Sequence, residues 1–327
     1  MGTSVERYRL GPFLLESEIP IPELVSVGEA RQEVVPADAP VVSIRVGEVP
    51  ERLEGVVASE SRWWASREEY LLRVPGVAGF LVGRGREVTV SQVEGARPAD
   101  IRAYLLSPVF SMLCYQAGMV ALHASSVRVG DGVVAFLGDS GAGKSTLAAY
   151  LERRGYAVVS DDICLLDLRL RVVPVAPALK LWRSALEQMG ESTEEMPRVF
   201  SGEDKFRVAT RCAGGSVAWL PLREVVFLEW VDEGGNFAGD LAPMEGVDAV
   251  TRLMQFSHYD YLMKAMGRQR ESFLRCGQIL AQVRANVFRR PRDFARIDRV
   301  VDALEEHLGA GQRAGRRAGK GKASTER

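Results

Sequence analysis

No stretch of these 327 residues approaches the roughly 20 consecutive apolar side chains that a helix needs to cross a bilayer, so a membrane partner is not expected. Cysteine is scarce. Cys114, Cys164, Cys212 and Cys276 lie far apart without a C-x-x-C pair, which excludes a dense disulfide framework or a thiolate zinc cluster. The three histidines, His123, His258 and His307, are equally scattered and lack the spacing of a structural zinc site. Charge of one sign is missing too, because the formal net charge is only −1. That balance gives no reason to expect nucleic acid as partner. With no stretch that reads as a secretory leader, the expectation is a cytoplasmic protein with reduced thiols.

What the chain does have is apolar material, 46% of its residues, ample for a buried core. Within a region spanning residues 1–117, the stretch before residue 100 reads as short extended pieces, among them Tyr8 to Leu15, Val41 to Val46, Tyr70 to Val74, Gly79 to Val82 and Glu87 to Val90, between Pro and Gly turns. An antiparallel β-rich region is predicted there. It is followed by a helix over Asp100 to Gln116, where apolar residues recur at three- and four-residue steps. Residues 118–309 change pattern to strand, turn, helix, strand, the order of an α/β core. Later segments predict a hairpin (Ile163 to Leu166 with Arg171 to Val175) and a strand from Glu224 to Trp230. Helices are predicted over Asp248 to Phe256, Tyr261 to Val287 and Arg292 to Leu308. Residues 310–327 carry Arg313, Arg316, Arg317, Lys320, Lys322 and Arg327 against the single acid Glu326, without large apolar side chains. Such a tail reads as disordered.

The chemistry concentrates around residue 140. Gly138-Asp139-Ser140-Gly141-Ala142-Gly143-Lys144-Ser145 satisfies G-x-x-x-x-G-K-[ST] in full, between the apolar run Val133 to Leu137 and a helical stretch ending at Gly155. In that context the backbone N–H groups wrap the phosphates of a nucleotide, Lys144 reaches the β- and γ-phosphates, and Ser145 offers its hydroxyl to Mg²⁺. Asp161 and Asp162 close a short apolar strand seventeen residues beyond Lys144. One carboxylate suffices for a metal, whereas a pair also supplies a group to orient or deprotonate an acceptor hydroxyl. His123 precedes the lysine by twenty-one residues, in Leu122-His123-Ala124-Ser125-Ser126. A lone histidine is more often structural than functional.

Taken together, Leu122 to Ser126, Gly138 to Thr146, and Val158-Val159-Ser160-Asp161-Asp162 resemble the catalytic core of the HPr kinase/phosphorylase family. The resemblance covers about residues 119 to 170 and implies a P-loop α/β core related to HPr kinase and phosphoenolpyruvate carboxykinase, with C-terminal helices. It further implies that His123 lies near the reacting phosphate, that Asp161 is the acid/base for the acceptor and that Asp162 is a metal ligand. The chain lacks the E-[IV]-R-G-[LI]-G signature, and Thr146 stands where glutamate is usual, which points away from phosphorylase activity and from HPr itself. Tyr8 to Pro12, Ser17 to Pro20, Leu179 to Trp182 and Asp204-Lys205-Phe206 look more like the HPr-kinase-like proteins of bacterial peptide-biosynthesis clusters, some of which phosphorylate a precursor peptide. Lys205, and less so Lys180, then become candidate phosphate or acceptor contacts. Trp63-Trp64 and Trp182 are candidates for an acceptor groove or for core packing. The resulting expectation is an ATP- and Mg²⁺-dependent kinase. It would transfer the γ-phosphate to a serine-type hydroxyl of a peptide or protein, and a homo-oligomer is compatible with the family. A small-metabolite kinase for free serine or a sugar, and a nucleotide-binding accessory or switch in peptide maturation, are the alternatives.

Overall fold

A computed structural model describes residues 5–24, 26–27, 40–167, 169–173, 178–200, 202–210, 219–232, 237 and 239–322, with side chains through 309. The N-terminal region supplies eight strands: β1 (Glu6–Leu10), β2 (Phe13–Ser17), β3 (Val41–Val46), β4 (Ala58–Glu60), β5 (Trp63–Ala65), β6 (Glu69–Val74), β7 (Ala78–Gly83) and β8 (Glu87–Gln92). They form one sheet in the order β1-β2-β3-β8-β7-β6-β5-β4. Burial alternates along β2, with Phe13, Leu15 and Ser17 inside, as a sheet covered on one face requires. The antiparallel reading needs correction at β3, which runs parallel to both β2 and β8. A long connection rather than a hairpin leads into β3, so its direction is not dictated by a turn. The single piece expected over Tyr8 to Leu15 is a hairpin turning at Gly11-Pro12.

The expected helix forms as α1 (Pro98–Tyr104), a π-helical turn (Leu105–Val109) and α2 (Phe110–Gln116). Pro108 offers no N–H and its ring crowds the preceding turn, so the ladder widens to pass it. Phe110, Met112 and Leu113 pack this helix into the core of the N-terminal sheet.

The remaining elements are β9 (Val120–Leu122), β10 (Ala124–Val129), β11 (Gly132–Leu137), α3 (Lys144–Arg153), β12 (Val158–Ser160), β13 (Cys164–Leu166), β14 (Arg171–Val173), β15 (Ala178–Trp182), α4 (Arg183–Gln188), β16 (Lys205–Ala209), β17 (Leu220–Val231), β18 (Asp240–Pro243), α5 (Gly246–Gln255), α6 (Asp260–Ala265), α7 (Gln269–Leu280), β19 (Arg284–Pro291) and α8 (Ile297–Lys322). The fold is mixed α/β. Its second sheet runs β12-β10-β11-β17-β14-β13-β9, with β19 and β18 joined to it at β17. β17 is flanked by the parallel strands β11 and β19. Every residue of β11 is buried, which explains its continuous apolar run. Leu147 and Leu151 of α3, Leu181 of β15 and Val300 and Leu304 of α8 cover one face. Val250 and Leu253 of α5 and Ile279 of α7 cover the other.

Two further readings change. The continuous helix expected over Tyr261 to Val287 is broken at Gly267 (φ +67°) and gives way to β19, where Val287 and Phe288 are buried against β17. Ile279, Leu280, Val283 and Val287 fit a helical period as well as a strand period, and only the pairing with β17 decides between them. The basic tail continues α8 to Lys322; residues 323–327 lie outside the described residues. Cys114, Cys164 and Cys276 are buried free thiols, and Cys212 falls outside the described residues. Among the described residues no helix is long and apolar enough to cross a membrane.

One feature of this sheet positions the site. β9 and β10 form a single path bent at His123, and β12 and β13 form another bent at Asp161 to Ile163. The two paths run antiparallel, pairing Ser126 with Ser160 on one side of the bend and Leu122 with Cys164 on the other. Stability rests on the layers around β17. Phe227→Ala, which deletes a fully buried ring packed against Phe256, is expected to cost about 3–5 kcal/mol, read as a lower urea midpoint at unchanged m-value.

Candidate functional site

The glycine-rich loop leaves the end of β11 and enters α3 at Lys144. Gly143 has φ +78°, and a Cβ there would lie 2.9 Å from Nη2 of Arg290. A Cβ on Gly138 would meet that of Ala142 at 2.8 Å. Both positions therefore need glycine for the loop to close this tightly. Lys144 is nearly buried, and its Nζ donates to the carbonyls of Gly138 (2.7 Å) and Asp139 (3.1 Å). Burial lowers its pKa, against the opposing pull of Asp161 and Asp162.

The bend brings the two aspartates to this loop, facing different ways. Oδ1 of Asp161 accepts from Ser145 Oγ (2.8 Å) and Ser125 Oγ (2.5 Å), and Oδ2 accepts from the backbone N–H of Lys180 (2.7 Å). Asp162 adopts φ +70°, a left-handed conformation that costs a non-glycine residue about 1–2 kcal/mol. Its carboxylate pairs with Lys180 Nζ (2.6 Å) and accepts from Ser107 Oγ (3.2 Å) in the π-helical turn. Burial pushes the Asp162 carboxyl upward, but Lys180, His258 and His123 outweigh it and hold the group well below the usual carboxylate range.

Two histidines secure the strained backbone. Nδ1 of His123 lies 3.2 Å from the carbonyl oxygen of Asp162 and 3.4 Å from its Oδ1. Nε2 of His258 lies 2.9 Å from the same carbonyl. A carbonyl only accepts, so each histidine carries its proton on the nitrogen that faces it. The chain segment after α5 is pinned to β9 by His258 N–H to Ala121 O (3.0 Å) and His123 N–H to Phe256 O (2.7 Å). The rings meet edge to face at 5.4 Å. Burial lowers both pKa values, that of His123 to about 4 with help from Lys144. Both rings are therefore neutral at neutral pH.

A cleft of about 300 Å³ opens over the loop, bordered by Lys144, Asp162, Lys180, Trp182, Lys205 and Arg290. Ser140, Gly141, Gly143, Ser145, Thr146 and His123 also border it, whereas Asp161 stays behind. Lys205, opposite Trp182 in the β15–β16 ribbon, holds its Nζ 5.7 Å from that ring. The residues singled out in the sequence thus converge, apart from Trp63-Trp64. Trp63 is buried against Tyr70 and Tyr261 in the N-terminal core. His258, Ser107 and Arg290 escaped sequence reasoning, and Ser125, which lies in the Leu122 to Ser126 motif, was given no role there. His258 and Arg290 arrive through contacts with distant segments, and Ser107 had as local signal only the proline after it.

No protein-family model matches this chain, and no curated protein matches it significantly.

The two histidines and Asp162 make the site acid-sensitive. His123 titrates at about 4 when folded against an ordinary 6.5, so the unfolded chain takes up this proton first. Its contribution is complete above about pH 6.5 and is lost as pH falls toward 4. His258 shifts in the same direction, and Asp162 extends the loss below the ordinary carboxylate value of 3.8. The melting temperature is expected to fall steadily between about pH 6.5 and 4, and His123→Asn should flatten that slope in a thermal-denaturation series.

Proposed function

We propose that this chain is an ATP-dependent kinase with a core of the HPr kinase type, acting on a serine-type hydroxyl of a peptide or protein. One observation carries the reading. A carboxylate held ionised by a lysine, Asp162 with Lys180, borders the same cleft as the lysine and serine of a complete G-x-x-x-x-G-K-S loop. Nucleotide binding alone would not call for that second carboxylate.

The hydrogen bonds favour exchanging the roles that the resemblance implies for the two aspartates. Asp161 joins the Ser145 hydroxyl and turns away from the cleft. Ser145 and Asp161 are hard oxygen donors side by side, and Mg²⁺ asks no more of a protein that also presents nucleotide phosphates. They would hold the ion, which when bound neutralises charge on the β- and γ-phosphate oxygens. Three donors already engage Asp161, and it does not border the cleft in which an acceptor hydroxyl would sit. Asp162 reaches the cleft and takes the acceptor side. As the oxygen–phosphorus bond to the acceptor forms and the β–γ bridge breaks, the hydroxyl proton passes to the Asp162 carboxylate and ADP departs. Such a weak base suffices, since a loose transition state releases the proton late. Lys144 stabilises the charge that develops between the phosphates.

With γ-labelled ATP, Mg²⁺ and a panel of serine-containing peptides, label is expected on peptide seryl oxygen. Asp162→Asn should lower transfer at least about 100-fold while leaving Mg-ATP affinity nearly unchanged, and Asp161→Asn should weaken Mg²⁺-dependent binding. Transfer at the normal rate by Asp162→Asn would refute its role. Label recovered in water alone would refute the kinase reading.

A further inference from the structure

Arg290, near the end of β19, is 2% exposed. Among the described residues it has no carboxylate within ion-pair distance. Its Nη2 donates to the carbonyl of Ala142, and its Nε has no acceptor. The guanidinium lies 4.0 Å from the centre of the Trp230 ring, which recovers only part of the cost of desolvating a cation. Neighbouring arginines do have carboxylate partners: Arg252, whose Nε likewise lacks an acceptor, pairs with Glu229 at 2.7 Å, and Arg284 pairs with Glu224 at 3.0 Å. Burial pulls the Arg290 guanidinium down to about 10, so it stays charged at neutral pH. A buried cation without a counter-anion is strongly unfavourable unless an anion from outside completes it. Arg290 borders the cleft beside Gly143, Lys144 and Thr146.

We infer that Arg290 is a phosphate-binding residue whose counter-anion is the phosphate chain of the nucleotide held by Gly138 to Ser145. Trp230 fixes the plane of the guanidinium, and its Nε1 donates to Gly141 O at 3.4 Å, so the ring is tied to the loop it serves. A planar fork offers two parallel N–H groups to phosphate oxygens, which a second lysine could not do. The inference rests on the nucleotide reading and adds a contact to it.

The test titrates ATP with Mg²⁺, inorganic tripolyphosphate and adenosine into the full chain by calorimetry, with melting temperatures recorded without ligand. Arg290→Met should lose at least about tenfold in affinity for ATP and tripolyphosphate and bind adenosine as before. Without ligand it should melt at or above the wild-type temperature, because an uncompensated buried charge has gone. Arg290→Lys should fall between the two. Equal ATP affinity in wild type and Arg290→Met would overturn the inference and leave the nucleotide reading intact. So would a lowered melting temperature in Arg290→Met together with normal ATP binding by Arg290→Lys, since that result marks a structural arginine. Failure of the wild type to bind either ATP or tripolyphosphate would remove the nucleotide reading, and this inference with it.

Discussion

Two neighbouring antiparallel strands bend at the same level, and the bend can persist only if something other than ladder hydrogen bonds holds the backbone where pairing is interrupted. His123 and His258 do this by donating to one carbonyl, that of Asp162. Without them the left-handed turn would leave that acceptor unsatisfied in a largely buried position. With them, consecutive carboxylates are sent to opposite sides of the chain. Asp161 goes to the hydroxyls of Ser145 and Ser125, and Asp162 to Lys180 and the cleft. Strand alternation alone separates neighbours in this way. The strained turn turns that separation into a division between the loop side and the open side.

The electrostatics around the bend are lopsided. Lys144, Lys180, Lys205 and Arg290 all border a cleft into which Asp162 is the inner carboxylate. Lys180 is spoken for by Asp162, and Lys205 depresses the Lys144 pKa further. A field of this sign, focused by low-dielectric walls, attracts polyanions. The neutral rings of His123, which borders the cleft, and of His258 behind it add hydrogen bonds to the Asp162 carbonyl without adding repulsion.

The parts of this arrangement set by local sequence were legible. The buried strand β11, the glycine-rich turn and the helix after it follow from apolar runs and glycine placement within some twenty residues, and Asp161 and Asp162 stand out because they end such a run. The parts set by pairing at a distance were not. β19 carries apolar residues compatible with either period, and it becomes a strand because β17 lies alongside it. The parallel direction of β3 is a property of its two partners. His258 reaches Asp162 only because its backbone is bonded to Ala121, far away along the chain. Arg290 looked like one of several arginines in Phe288-Arg289-Arg290-Pro291-Arg292, and only its burial beside the loop distinguishes it. The division of labour between the aspartates likewise depends on a left-handed dihedral that no spacing reveals.

Lys180 gives the β15–β16 ribbon a further consequence. Its main-chain N–H holds Asp161 and its side-chain ammonium holds Asp162, so one residue grips both carboxylates. The two strands of the ribbon pair with each other and with neither of the larger sheets. Leu179, Leu181 and Phe206 bury the ribbon against the core, so both carboxylates are referred to one well-packed piece of backbone, and a change at position 180 would be felt on the loop side and the open side at once.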